Sequence, residues 1–230
     1  MSFYEQLTAS TQKERDQLLT VPIIADCLQG RVKLPDYHAF LGQAYHHVRH
    51  TTPLLMSLGG RLPERLAWLR PAVAEYIAEE IGHEQWILDD IRAAGGDADA
   101  VRDSRPELPA ELMVAYAYDL VNRGNPAGFF GMVFVLEGTS VALALMAADR
   151  IQQGLKLPNA AFSYLRSHGT LDQEHTAHFA LLMDQIEDPQ DQRDIVHGAR
   201  AFFRLYGDVF RGLPLPVVQA QANNRLEVLA

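Results

Sequence analysis

Apolar residues recur at three- and four-residue steps along nearly the whole chain, which is the period of an amphipathic helix. Alternating β-branched runs bounded by turns are scarce, so strands are not expected. The pattern predicts an all-α fold. Prolines mark several helix starts, because their fixed φ suits a first turn. Pro35-Asp36 opens a helix to about Leu58, Pro71 one to about Ala94, and Pro109 and Pro126 two more. Gly59-Gly60, Gly95-Gly96, Gly124-Asn125 and Gly154 follow the periodic stretches, where glycine accommodates a left-handed cap. Further helices are expected from Tyr4 to Leu19, Asn159 to about Gln185 and Pro189 to about Tyr206, with a short one after Pro214. The expectation is a single-domain compact bundle of seven to eight helices spanning residues 1–230, with Gly95 to Pro109 as an exposed connection.

The segment from Gly124 to Ala148 is long and apolar enough to suggest a membrane span, but Glu137 stands near its middle. An acid at bilayer centre is costly, and no second span or basic flank accompanies it. A buried core helix is the better reading. Composition agrees: 48% of the 230 residues are apolar and 21% charged, enough for a core that buries roughly 70% of the unfolded surface. The net charge of -9, from 29 acids and 20 bases, argues against nucleic acid and anionic lipid as partners, since both are gripped by lysine and arginine. The lone Cys27 forms no internal disulfide, and no signal peptide is visible at the start, which fits a cytoplasmic protein.

Three features carry possible chemistry. Glu137 is the only charged residue between Arg123 and Asp149 and has no basic neighbour one turn away. A buried carboxylate must be protonated, paired from another helix or bound to a metal. Glu80 and His83 lie three residues apart, a spacing that puts both on one helical face; Glu79 and Glu84 flank them. His168, Asp172 and His175 fall at i, i+4 and i+7, one stripe of a helix. Carboxylate oxygens with neutral imidazoles suit iron, manganese or zinc. The acid-x-x-His spacing repeats on two helices, as in bundle proteins that hold two irons, although the helix from Asp36 to Leu58 offers His46, His47 and His50 where a further Glu would be expected. These histidines read as an outer cluster or as groups that orient ligands. Tyr45, Tyr76, Phe129, Phe130 and Phe134 read as core or cavity lining.

In length, helical pattern and order of these residues, the chain resembles the heme-oxygenase-like diiron oxidases, a superfamily shared with heme oxygenase, the TenA thiaminases and PqqC. The likeness runs from about Asp36 to Tyr206. It implies Glu80, His83, Glu137, His168, Asp172 and His175 as ligands of two iron ions, with His46 or His47 standing where some relatives carry an acid. It also implies O2 as co-substrate, a small-molecule substrate, an electron donor and a homodimer. The other branches match less: heme oxygenase needs an axial histidine on its first helix, whereas His38 is the earliest here, and TenA thiaminases use a mid-chain cysteine. The alternatives are a metal-free TenA/PqqC-like enzyme acting on a heterocycle and a non-catalytic helical ligand-binding module.

Overall fold

The computed structural model describes residues 1–213, apart from the side chains of 168–175. Among the described residues there are twelve α-helices, three short 3-10 segments and no strand. The helices are α1 (Phe3–Ser10), α2 (Gln12–Leu19), α3 (Pro22–Leu28), α4 (Leu34–Val48), α5 (Thr51–Arg61), α6 (Arg70–Glu80), α7 (His83–Ala93), α8 (Ala98–Asp103), α9 (Leu108–Asn122), α10 (Phe130–Leu155), α11 (Ser163–Asp184) and α12 (Pro189–Arg211). The all-α expectation holds, and the count is higher because long periodic stretches are broken within themselves.

Each break has a local cause. The stretch from Tyr4 to Leu19 divides at Thr11, whose hydroxyl donates to the Leu7 carbonyl at 2.8 Å while its backbone leaves the helical region. The stretch from Pro35 to Leu58 divides at Arg49-His50. The stretch from Pro71 to Ala94 divides at Ile81-Gly82, where Gly82 takes φ 93°, a conformation that costs other residues about 1–2 kcal/mol. Two predicted ends move: α10 runs through Gly154 and stops where Lys156 turns left-handed, and α12 continues past Tyr206 to Arg211. The connection from Gly95 to Pro109 contains α8, capped by Asp97 accepting the Ala100 N–H at 2.9 Å. The helix expected after Pro214 lies outside the described residues.

Helix α10 and the turn before it, Pro126–Leu155, are long and apolar enough to cross a membrane by composition alone. In this fold α10 packs along α11 and α12. Its crossing with α12 is set by missing side chains: a Cβ on Gly131 would come within 2.3 Å of the Ala199 nitrogen, and one on Gly198 within 2.3 Å of the Gly128 carbonyl oxygen. Only glycine lets the two backbones touch there.

The core has two parts. One joins α5, α9 and α12 to the first half of α10, through residues such as Leu58, Met113, Val135 and Phe202. The other joins α4 and α7 to the second half of α10 and the start of α11, through residues such as Leu41, Ile87, Ala148 and Phe162. Val48 and Tyr164 of the second part and Leu55, Phe129, Met132 and Tyr206 of the first line one shared cavity. The candidate site therefore lies at the seam.

Candidate metal centre

A chamber of about 70 Å³ opens at that seam. Its polar lining comes from six helices: His47 of α4, Thr51 of α5, Tyr76 and Glu80 of α6, Glu137 and Ser140 of α10, Tyr164 of α11 and Tyr206 of α12. Leu55, Met132, Val133 and Leu136 supply apolar wall. No lysine or arginine lines it among the described residues. Local spacing explains the convergence. Tyr76 and Glu80 are one turn apart on α6, and Val133, Leu136, Glu137 and Ser140 form one face of α10.

Glu80 and Glu137 thus come together from separate helices. His83 meets the chamber through Glu80: its Nδ1 lies 3.2 Å from Glu80 Oε2, and its buried ring stacks on Trp86 at 4.0 Å between centroids. The spacing had suggested that Glu80 and His83 share one helix; instead Glu80 ends α6 and His83 starts α7, and the left-handed Gly82 turns the chain so that the two side chains still touch. Glu79 and Glu84 do not line the chamber. Helix α11 covers positions 168, 172 and 175 and packs along α10 and against α7, but the side chains of His168, Asp172 and His175 lie outside the described residues. Among the described residues no three His, Cys, Asp or Glu side chains come close enough to hold one ion.

The three histidines of α4 part ways. His47 is buried, lines the chamber and packs edge-on against Tyr206 at 6.0 Å. His46 Nε2 pairs with the Ser104 hydroxyl at 2.9 Å, and His50 Nδ1 with the Tyr118 hydroxyl at 3.2 Å. Burial, then the positive Arg49, hold both of these imidazoles below their ordinary pKa. Of His46 and His47, which the resemblance set where some relatives carry an acid, His47 is the one that reaches the chamber.

Two anchors set the surroundings. Asp90, fully buried on α7, accepts the backbone N–H groups of Ser163 at 2.8 Å and Tyr164 at 2.9 Å, so α7 caps the start of α11. Burial pushes the Asp90 carboxyl up and these N–H groups pull it partly back. Tyr206 is buried, which raises its phenol well above the ordinary value and keeps the proton on it.

The donor set fits iron: hard carboxylate oxygens and imidazole nitrogens in an apolar enclosure. Of the other histidines, His38 of α4 donates its Nε2–H to the Ala94 carbonyl at 3.2 Å. A sequence profile described as "Iron-containing redox enzyme" matches residues 38–207. The chain belongs to this family. The iron-containing redox enzymes are thus the frame for the chamber, and the matched span contains every candidate ligand named above. Solved structures of the same fold include a protein of unknown function with a heme oxygenase-like fold from Shewanella denitrificans, with 20% identity over 93% of this chain and 92% of that one and a TM-score of 0.83. A TenA homolog from Pseudomonas syringae has 8% identity over 90% of each chain and a TM-score of 0.77. Heme oxygenase-1 from Synechocystis, in complex with heme, has 12% identity over 92% and 91% and a TM-score of 0.75. At these identities the likeness is one of fold. No curated protein matches the chain in sequence.

Proposed function

We propose that this iron-containing redox enzyme is a non-heme diiron oxygenase or oxidase that uses O2 to oxidise a small organic substrate. The observation that carries the reading is that Glu80 of α6, Glu137 of α10 and His47 of α4 line one apolar-walled chamber. Carboxylate oxygens and an imidazole nitrogen lining one chamber are donors that suit iron. Glu80, His83 and Glu137 would hold the irons together with His168, Asp172 and His175 of α11. The bound irons would supply the activation of O2. The chain's own groups do the rest. Glu80 orients the His83 ring by direct contact, His47 faces the chamber as a further imidazole, and Tyr206, its proton retained by burial, can donate a hydrogen bond but not accept a proton as base. Leu136, Val133 and Met132 exclude water. Electrons would come from an external donor, and a homodimer is the assembly that the fold analogy suggests.

A TenA-like nucleophilic thiol is less well supported. The single cysteine, Cys27, lies outside the chamber and burial pushes its thiol up to about 11, which leaves little thiolate at neutral pH.

The deciding experiment is elemental analysis with an absorption spectrum. The expected result is about two irons per chain without a heme band. Glu137→Ala, Glu80→Ala and His168→Ala should each lower bound iron while the helical circular dichroism stays unchanged. Full iron in all three variants would show the ligand assignment to be wrong.

A further inference from the structure

A second cavity, of about 90 Å³, adjoins the chamber. The two share Ser140, Tyr164 and Tyr206 as a common wall. The second cavity lies among α3, α4, α10 and α12, and residues such as Ile23, Leu28, Phe40 and Leu143 make it chiefly apolar.

Its lining also carries the hydroxyls of Thr139, Ser140, Tyr164 and Tyr206, the last three at the wall shared with the chamber; its other polar groups are committed within the chain. The Tyr37 hydroxyl donates to the Ala161 carbonyl at 2.6 Å. The Asp36 carboxylate accepts the Lys33 N–H at 2.9 Å. The Cys27 thiol is kept neutral by burial. No lysine, arginine or histidine lines the cavity among the described residues. An anionic head would therefore meet Asp36 without a cation to offset it, and away from Thr139 and the shared wall a heterocycle would find few partners for its ring nitrogens, which costs binding energy in an apolar site. Burial of aliphatic surface costs nothing of this kind.

We propose that this cavity takes the aliphatic chain of an amphipathic substrate and presents the functionalised end, past Ser140, Tyr164 and Tyr206, to the Glu80–Glu137 chamber. The role as a substrate site rests on the oxygenase reading above; the affinity of the cavity for an alkyl chain does not.

The test is calorimetric titration of the full-length, metal-free protein with a series of straight-chain 1-alkanols. Each added methylene should tighten binding about fourfold until the cavity is full, with a negative heat-capacity change. Ala147→Trp places a large ring on the α10 wall of the cavity and should weaken 1-alkanol binding at least about tenfold while iron content stays unchanged. Leu143→Phe is the milder obstruction and should show the same direction if the tryptophan variant does not fold. Affinity that is independent of chain length, or folded variants that bind 1-alkanols as tightly as the unmodified protein, would overturn the proposal. An iron-loaded protein without chain-length dependence sinks the cavity assignment and leaves the oxygenase reading standing. Chain-length dependence in a protein that never takes up iron keeps the alkyl site and sinks the oxygenase reading.

Discussion

Asp191 and Glu137 are both acids on long helices facing the core, but their surroundings are opposite. Asp191, fully buried at the start of α12, receives two bonds from Arg65, at 2.9 and 2.7 Å, and one from the Asn125 amide at 2.7 Å. Asn125 also donates to Asp194 at 2.8 Å, and Asp188 caps the same helix. Glu137 instead shares its chamber with a second acid, Glu80, and with His47. The first arrangement neutralises a charge inside the chain; the second brings two acids and an imidazole from three helices to one apolar-walled chamber. The two acids differ in burial, Asp191 being fully buried and Glu137 half-buried, and they differ in neighbours.

Substitution can break this contrast. Asp191→Ala should have the largest effect, about 3 kcal/mol and a melting temperature lower by on the order of 10 °C, because Arg65 and Asn125 lose their acceptor. Burial raises the Asp191 carboxyl, but the Arg65 hydrogen bonds and the Asn125 amide outweigh it and hold it below the ordinary carboxylate value. A depressed folded value means stabilisation that is present above the unfolded pKa and lost as pH falls through the folded one. Asp191→Asn should therefore be less stable than the unmodified protein at neutral pH, and the two unfolding curves should converge in acid below about pH 4.

Asp90→Ala tests the link between the two core parts. Two buried N–H groups at the start of α11 would lose their acceptor, at a cost of about 2 kcal/mol. Iron affinity should fall with it, since α11 carries three candidate ligands; unchanged iron binding would show that α11 is positioned by packing alone. Gly82→Ala should cost about 1 kcal/mol. Nothing lies within 4 Å of the added carbon, so the cost is in the backbone, and a larger loss in iron than in stability would mean that the turn sets the Glu80–His83 contact. Glu137→Leu should have the smallest effect on the metal-free protein, because leucine is close to glutamate in volume and continues the apolar wall of Met132, Val133 and Leu136. A loss as large as that of Asp191→Ala would make Glu137 structural and end the comparison.

Much of this was legible along the chain. The helical period requires no knowledge of neighbours, so the all-α class follows from the order of apolar residues. The isolation of Glu137 on an apolar helix and the presence of Glu80 beside His83 were equally visible, and the structure places both acids at one chamber. The break at Gly82 was harder to foresee, because the Glu-x-x-His spacing is satisfied by one helix and by two helices meeting at a left-handed glycine. His46, His47 and His50 look alike in sequence, yet they face Ser104, the chamber and Tyr118. Asp90 gave no signal, since its partners are 73 and 74 positions away.

The sequence by itself determined the helical class, the family and the supply of oxygen and nitrogen donors. Tertiary structure alone decided which donors share a chamber, which histidine joins them, and that an apolar cavity lies next door. The reason is physical. Helical periodicity sets which residues share a face, but the direction of that face depends on how helices cross, and here the α10–α12 crossing is set by close backbone contact at Gly128, Gly131 and Gly198.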